Sequence, residues 1–353
     1  MAKTYKNLWT ELISFENLLL AARKAQKGKR FKDSTALFNL NLEKELLKIQ
    51  RQLSEKKYAP GKYKEFVIYE PVKRLISAAP YRDRVVHHAL CNVIEPLFEK
   101  AFIYDSYANR KDKGTHRAID RFQGYMQKYS YVLKCDIRKF FPSIDHEILY
   151  AMLQKKIADA EALWLIRTII ENSNPQEPVH DYFDCDSLFA PYERKRGLPI
   201  GNLTSQFFAN TYLNGFDHFV KETLGCKAYL RYVDDFAIFG NDKKELWEIK
   251  HSMDDHLGLL RLNLHKKKTR IFPVKNGCEF LGFYIYPNFR KVKKANVRLF
   301  ETRLKTMQVA FKKRLISLEQ IHKSIQGWIA HVEHADSYRL RERIFSMSVF
   351  CHS

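Results

Sequence analysis

An acidic pair between two apolar arms is the feature that most constrains this chain. The segment KAYLRYVDDFAIFG, residues 227–240, has the pattern of a β-hairpin that carries Asp234 and Asp235 at its tip. A third carboxylate, Asp136, lies near the C-terminal end of a short predicted strand, YVLKCDI, residues 131–137. If the two strands are neighbours in one sheet, the three carboxylates converge at one edge.

Converging carboxylates predict a metal site. Burying adjacent carboxylates without a cation is costly, and Mg²⁺ accepts carboxylate and phosphate oxygens. We therefore expect two Mg²⁺ ions, of the kind that activates a hydroxyl nucleophile and stabilises a leaving pyrophosphate. A solvent-exposed Asp-Asp turn is the alternative, but the residues that flank the pair are mostly apolar.

The charge of the chain is concentrated at its two ends. The formal net charge is +21, and residues 1–75 contain 17 Lys and Arg against 8 Asp and Glu. Residues 287–353 contain 14 against 5, so the centre is nearly balanced. This pattern indicates a body that holds a polyanion from both sides, although solvated lysine faces would give the same counts. The 19 Tyr and 25 Phe favour a nucleic acid, because aromatic rings stack on bases.

Several other classes of protein are disfavoured. The six cysteines form no CxxC pair and have no zinc spacing, which predicts reduced thiols in a cytoplasmic protein. No uncharged apolar run approaches the length of a membrane span, so we expect neither a signal peptide nor a membrane partner.

The remaining pattern alternates helices with short strands. Helical periodicity and turn residues give the following predictions: helices over Leu8–Ala25 and Leu42–Leu53, β-type alternation over 64–79, a helix over 203–224, a strand in HKKKTR (265–270), a hairpin in CEFLGFYIYPNFRKV (278–292), and an amphipathic helix from Ala295.

Five sequence blocks occur in the order and spacing of those of reverse transcriptases, and they extend over roughly residues 60–290. They are Asp136 with the following IRKFF, GLPIG with Ser205, YVDDF, LNLHKKKT and FLGFY. The chain therefore resembles this family. The resemblance implies an α+β right-hand polymerase fold with fingers, a palm of antiparallel sheet plus helices, and a helical thumb. It also implies synthesis of cDNA from a primer on template RNA with dNTPs, using two Mg²⁺ ions with Mn²⁺ as a possible substitute.

The resemblance divides the chain into four parts. They are a basic helical N-terminal extension (1–60), fingers (61–130), a palm that includes part of the fingers at about 150–200 (131–286), and a helical thumb (287–353).

The resemblance also assigns roles to individual residues. Asp136 and Asp234 resemble the principal catalytic metal ligands, with Asp235 and Ile137 beside them. Phe141 matches the bulky residue that excludes a ribose 2′ hydroxyl, although this ring could also be plain core. Arg74 resembles the residue that holds the triphosphate, and Lys64 and Arg82 are weaker choices for this role. Lys268 resembles the lysine that approaches the triphosphate or pyrophosphate.

One block departs from the usual pattern. Most reverse transcriptases read QG…SP where this chain has Ile200-Gly201 and Ser205-Gln206. This form resembles the enzymes of diversity-generating retroelements, which copy a template-repeat RNA with frequent errors at adenines to diversify a target gene. Ile200 and Gln206 are therefore assigned to the nucleotide site. The family also implies a small accessory protein. The alternative for Ile200 is simple packing.

Three other functions stay open. One is a retron-like, group II-like or defence-associated reverse transcriptase. Another is a non-catalytic RNA-binding scaffold, which would not need three carboxylates facing phosphates. The third is an RNA-dependent RNA polymerase, which usually has a smaller or polar residue at the position of Phe141.

Overall fold

Short strands alternate with helices along the computed structural model, which describes residues 4–69, 73–174 and 176–350. The described α-helices are α1 (Trp9–Leu12), α2 (Phe15–Ala25), α3 (Asp33–Leu40), α4 (Leu42–Ser54), α5 (Tyr81–Glu99), α6 (Thr115–Met126), α7 (Phe140–Ser143), α8 (His146–Gln154), α9 (Ala160–Glu171), α10 (Ala190–Glu193), α11 (Leu203–His218), α12 (Lys243–Leu259), α13 (Lys294–Lys312), α14 (Leu318–Val332) and α15 (Tyr338–Ser346). The described strands are β1 (Lys64–Ile68), β2 (Arg74–Ala78), β3 (Tyr131–Asp136), β4 (Tyr229–Tyr232), β5 (Asp235–Gly240), β6 (Arg270–Pro273), β7 (Cys278–Phe280), β8 (Phe283–Ile285) and β9 (Arg290–Val292). The predicted α+β class is confirmed.

The central sheet has the strand order β4-β5-β3-β6, with antiparallel neighbours. Successive side chains of a strand point to opposite faces. Leu133 and Cys135 therefore join a core with α2, α5, α8, α9, α11 and α12, whereas Val132 joins a second core with α6, α13 and the β7-β8-β9 sheet. Because both faces are covered, the strands read as nearly continuous apolar runs.

The N-terminal helices differ from the single helix predicted over Leu8–Ala25. The Ser14 hydroxyl accepts a hydrogen bond from the backbone N–H of Asn17 at 3.2 Å, which caps α2 and separates it from α1. Helix α3 was not predicted; its buried Phe38 ring packs edge-on against a ring of α5. The helix predicted over Leu42–Leu53 is confirmed as α4.

The ribbon formed by β1 and β2 agrees with the alternation predicted over 64–79, of which residues 70–72 lie outside the described residues. The helix predicted over 203–224 is confirmed as α11 followed by a π-helical turn, Phe219–Thr223.

The strand predicted in HKKKTR is wrong. The backbone N–H groups of Lys268 and Thr269 both donate to the carbonyl of His265, which forms a turn, and β6 begins only at Arg270. Three consecutive lysines cannot all stay in solvent on a strand whose side chains alternate between two covered faces, whereas a turn lets them do so.

The segment 278–292 forms three strands, not the single predicted hairpin. A second turn arises at Leu281 and Gly282, which have φ angles of 48° and 87°. Glycine adopts such angles at little cost. The later turn, at residues 286–289 between β8 and β9, contains Pro287 and Asn288, the residues at which the sequence predicts the hairpin to turn.

The C-terminal helices confirm the amphipathic pattern predicted from Ala295. Phe300 of α13 stacks on Trp328 of α14 with ring centroids 3.9 Å apart, and Phe345 of α15 meets Trp328 edge-on at 5.9 Å. Ser317 and Gln320 form a capping box at the start of α14. The three helices are thus joined mainly through aromatic contacts.

A membrane-crossing helix would need both length and continuous apolar character, and none of the helices within the described ranges combines the two. Five cysteines in these ranges, residues 91, 135, 185, 226 and 278, are free thiols.

A buried ion pair joins α11 to the central sheet. The Arg231 guanidinium of β4 and the Asp217 carboxylate of α11 are both fully buried. Two parallel hydrogen bonds, of 2.7 Å from Nε and 2.6 Å from Nη2, connect them. Arg231 Nη1 also donates to the Val233 carbonyl at 3.0 Å, in the turn that follows β4. A fork of this kind restrains the direction of both groups.

We predict that Arg231→Met lowers the free energy of unfolding by about 3–5 kcal/mol, because it leaves the Asp217 charge buried without its partner. The double variant Arg231→Met/Asp217→Leu should recover more than half of this loss. Urea unfolding of the full chain measures both. The control is Lys323→Met, which removes an exposed pair with Glu319 and should cost at most about 0.5 kcal/mol. A loss below about 1 kcal/mol for Arg231→Met would contradict the prediction.

Candidate active site

Three carboxylates converge at one edge of the central sheet, as the sequence predicted. Asp136 is the last residue of β3, Asp235 is the first residue of β5, and the two residues are directly paired in the antiparallel register. Asp234 lies in the turn between β4 and β5. The carboxylates meet because each strand ends or begins at the same edge.

The turn that carries Asp234 is held by its backbone. Val233 has a φ of 59°, which a β-branched residue adopts only under constraint. The Asp234 carbonyl accepts a hydrogen bond from the N–H of Ile137 at 3.2 Å, and Arg231 holds the carbonyl of Val233. The turn is therefore fixed to both β3 and the buried ion pair.

Two lysines neutralise part of this negative charge. Lys268 Nζ lies 3.0 Å and 2.9 Å from the two carboxylate oxygens of Asp136. Lys134 Nζ lies 3.4 Å from Asp235 Oδ2. Oδ1 of Asp235 is buried and has no hydrogen-bond partner among the residues that the structure describes. The cluster thus retains an unsatisfied carboxylate oxygen.

The pKa values of Asp234 and Asp235 are both raised by their surroundings. Burial, together with the charge of Asp136, raises the pKa of Asp234 to about 6. Burial raises the pKa of Asp235 to about 7 against the opposing effect of Lys134, and the neighbouring carboxylates add to the rise. A cation is the ligand that would relieve both costs.

The donor set fits divalent cations. The three carboxylates, one of which has an unpaired buried oxygen, are hard ligands of the type that Mg²⁺ and Mn²⁺ accept. Within residues 4–69, 73–174 and 176–350, however, no three His, Cys, Asp or Glu side chains are already grouped as a metal cluster. The carboxylates of Asp136 and Asp235 are instead directed toward lysines.

A cleft of about 800 Å³ opens over the carboxylates. It brings together most of the residues that the sequence assigned to the site. Besides the three aspartates, the predicted residues that line it are Arg74, Ile137, Phe141, Ile200 and Lys268.

Three other predicted residues do not line this cleft. Gln206 lies on α11 and borders a separate, smaller cavity. Arg82 donates to the side chain of Gln52 and lies over the Tyr58 ring, 5.2 Å from its centroid. Lys64 is the exposed first residue of β1. The positions of these three residues therefore do not support their assignment to the nucleotide site.

Sequence reasoning missed several residues of the site. Lys134, which contacts Asp235, precedes Asp136 by two positions on β3, so strand periodicity places both on one face and could have identified it. Four residues that line the cleft have no such signal, because they lie outside the helices and strands: Lys73, Arg138, Lys139 and His265.

Comparison with known proteins identifies the class. Residues 70–285, more than half of the chain, match the family described as reverse transcriptase (RNA-dependent DNA polymerase). The chain therefore belongs to the reverse transcriptase family, and its mixed helix-and-sheet architecture is that of a right-hand polymerase. The predicted fold class is confirmed, as is the enzyme class at the level of the family.

The curated relatives include bacterial and intron-encoded proteins. Protein YkfC of Escherichia coli (strain K12) is 26% identical over 57% of this chain and 60% of its own length. The group II intron-encoded protein LtrA of Lactococcus lactis subsp. cremoris is 23% identical over 59% of this chain and 33% of its own length. Nuclear intron maturase 1, mitochondrial, of Arabidopsis thaliana is 29% identical over 29% of this chain and 15% of its length. The chain thus spans less than two thirds of the length of each of these relatives.

The raised pKa of Asp234 predicts a pH-dependent effect of Asp234→Asn on the metal-free protein. The folded-state pKa of about 6 exceeds the ~3.9 of an exposed Asp, so the native chain loses stability as the pH rises through this window. Asn does not titrate. The stability gain of Asp234→Asn should therefore be larger at pH 8 than at pH 5 by on the order of 1 kcal/mol.

Urea unfolding in a chelator measures this difference. Asp242→Asn, at the N-terminal cap of α12 and outside the cleft, is the matched control. Added Mg²⁺ should stabilise the native chain at pH 8 more than it stabilises Asp234→Asn. An equal gain at both pH values would contradict the burial of the Asp234 charge.

Proposed function

We propose that this chain is an RNA-directed DNA polymerase that extends a DNA primer with dNTPs along template RNA. The observation that carries the proposal is the convergence of Asp136, Asp234 and Asp235 in one open cleft, together with basic side chains. A scaffold that only binds RNA gains nothing from carboxylates directed at phosphates, so the cluster favours catalysis over that alternative.

The carboxylates are the groups that would hold two Mg²⁺ ions, with the neighbouring backbone of Ile137 beside them and Mn²⁺ as a possible substitute. When bound, such ions increase the acidity of a primer 3′ hydroxyl and stabilise the charge of the leaving pyrophosphate. The rigid turn at Val233 keeps the Asp234 side chain at the sheet edge without reorganisation.

Basic residues of the cleft bind the triphosphate in this proposal. Lys268 is held by Asp136 alone among the described residues, and more than half of its side chain is exposed, so it can exchange a carboxylate for a phosphate. Arg74 is exposed at the start of β2 and lines the same cleft. Cations at these two positions neutralise the charge of the substrate as it enters.

Phe141 is proposed to select deoxyribonucleotides. Its ring is half-buried against the edge of Phe140, with centroids 5.6 Å apart, and it lines the cleft. A large ring fixed in this way leaves little room for a 2′ hydroxyl on the incoming sugar. This argues for a DNA polymerase over an RNA-dependent RNA polymerase.

The proposal also divides the chain into the parts of a polymerase. We assign an N-terminal extension to residues 1–60, fingers to 61–130, a palm with part of the fingers to 131–286, and a thumb to 287–353. The central sheet, the β1-β2 ribbon and the α13–α15 bundle lie within the proposed palm, fingers and thumb, respectively.

Primer extension on an RNA template tests the activity. Asp234→Asn should lower the rate at least about 100-fold, because one metal ligand contributes several kcal/mol to the barrier. Asp242→Asn, the same chemical change outside the cleft, should stay near the native rate. Ribonucleotides in place of dNTPs should give little product. More than a tenth of the native rate in Asp234→Asn would contradict the assignment.

We further propose that the enzyme is of the diversity-generating type: it copies a template-repeat RNA with errors at adenines, and it works with a small accessory protein in the cytoplasm. Ile200 motivates this finer proposal. Its side chain is only half-buried and lines the cleft, so it is available to a nascent base pair. A hydrocarbon there forms no hydrogen bond that a wrong base would leave unpaired, which weakens discrimination.

Ile200→Gln should therefore lower misincorporation opposite template adenine by roughly tenfold, the value of one hydrogen bond that depends on correct pairing. Sequencing of products made on an adenine-rich RNA template measures it. Ile200→Val keeps the hydrocarbon and should keep the native error spectrum. If Ile200→Gln and Ile200→Val gave the same spectrum, the proposed role of Ile200 would be wrong.

A second candidate is a group II-like reverse transcriptase. The similarity to LtrA of Lactococcus lactis and to the intron maturase of Arabidopsis thaliana favours it. It has the same two-metal chemistry, so the rate test does not separate the candidates. The error spectrum does, because faithful copying of adenine by the native chain supports the group II-like or retron-like type.

A further inference from the structure

A second cavity lies behind the segment that carries Ile200. Its volume is about 140 Å³, smaller than the ~300 Å³ at which sites for drug-sized ligands begin. Contributions come from the basic turn after α2, the first half of α5 and the start of α11. Gly201, with a φ of 117°, allows the chain to pass from the cleft on one side to this cavity on the other.

The side chains around this cavity are rich in donors and cations. Among the described residues no Asp or Glu lines it, whereas Lys29, Arg84, His87 and His88 do. Neither Lys29 nor Arg84 forms an ion pair within the part of the chain that the structure describes; Arg84 Nε donates only to the Ala79 carbonyl, at 2.8 Å. Burial, Arg84 and Lys32 together lower the pKa of Lys29, which indicates cations crowded without a counter-charge.

Two buried polar atoms at this cavity, one on each of two side chains, have no hydrogen-bond partner within the described part of the chain. His87 is 3% exposed and its Nδ1 forms no hydrogen bond. Asn202 is also 3% exposed; its Oδ1 accepts from the N–H of Ala79 at 3.3 Å, but its Nδ2 donates to nothing. Unpaired buried groups are costly, so a ligand that satisfies them gains affinity.

The start of α11 adds a third source of donors. Asn202 is the N-terminal cap residue, but its side chain makes no capping hydrogen bond to the first turn of the 16-residue helix. The N–H groups of such a turn point outward and favour an anion. Cations, amide donors and a helix N-terminus around one small cavity are the elements of a phosphate-binding site.

We propose that this cavity binds one phosphate group through Lys29, Arg84, His87, Asn202 and the N-terminus of α11. The group is either a backbone phosphate of a nucleic-acid strand that passes behind Ile200 or free inorganic phosphate. The proposal does not depend on polymerase activity, since none of these residues lines the cleft of the three aspartates.

Isothermal titration of the full chain with inorganic phosphate, at constant ionic strength maintained with chloride, tests the site. Lys29→Gln should weaken binding about tenfold, because it removes one charge-assisted hydrogen bond. Lys27→Gln makes the same change on the same turn but outside the cavity, and should alter the affinity less than about twofold. Equal effects of the two variants, or no phosphate binding by the native chain, would overturn the proposal.

A second variant, Asn202→Asp, tests the phosphate site with a substitution that should keep the fold. It keeps an acceptor for the N–H of Ala79 and is a favoured helix cap, yet it presents a negative charge to the anion. Phosphate binding should be lost while the thermal unfolding temperature is retained; unchanged phosphate binding would overturn the proposal. Asp234→Asn should bind phosphate as the native chain does, which separates this site from the proposed activity.

A short single-stranded oligoribonucleotide distinguishes the two sources of phosphate. If saturation with the oligoribonucleotide abolishes phosphate binding, and Lys29→Gln also weakens binding of the oligoribonucleotide, a backbone phosphate occupies the cavity. If phosphate still binds to the saturated complex, the site takes free phosphate. Both results support a phosphate site.

Discussion

The buried guanidinium of Arg231 is the interaction on which the candidate site depends. It binds three groups: the Asp217 carboxylate and the Asn210 side chain of α11, the latter at 3.2 Å, and the Val233 carbonyl of the turn that follows β4. A charge buried this completely is tolerated only when its donors are paired, and the planar fork does so in fixed directions. The position of the Asp234 turn is therefore set from beneath, by a group that never reaches the cleft.

On the cleft side of that turn, by contrast, charges of the same sign are brought together. Burial, together with repulsion between the carboxylates, raises the pKa of Asp234 to about 6 and of Asp235 to about 7, while Lys134 and Lys268 offset part of the cost. The two lysines differ in freedom: Lys134 is fixed on a central strand, whereas Lys268 projects from an exposed turn. Only the latter can leave its carboxylate without disturbing the sheet, which is why we assign the mobile charge to the substrate.

Sequence reasoning succeeded where a short apolar segment determines both local structure and burial. The apolar segments YVLKCD and DFAIFG predicted two strands, and convergence of Asp136 with Asp235 was expected if these strands are neighbours in one sheet, as they are. It failed where backbone geometry decides, as at Leu281-Gly282, whose positive φ angles divide one predicted hairpin into three strands. Gln206 does not line the cleft, because α11 begins between it and Ile200 and the two residues border different cavities.

The two sides of the Ile200 segment are physically connected through β2. The N–H of Ser77 donates to the Ile200 carbonyl at 3.0 Å, and the N–H of Ala79, just after β2, donates to Asn202 Oδ1 at 3.3 Å. The strand that begins with Arg74 is thus tied to both ends of the segment. A phosphate held at Asn202, a base pair against Ile200 and a triphosphate at Arg74 would contact one hydrogen-bonded unit. If both proposals hold, occupancy of the small cavity would therefore affect how firmly Ile200 is held.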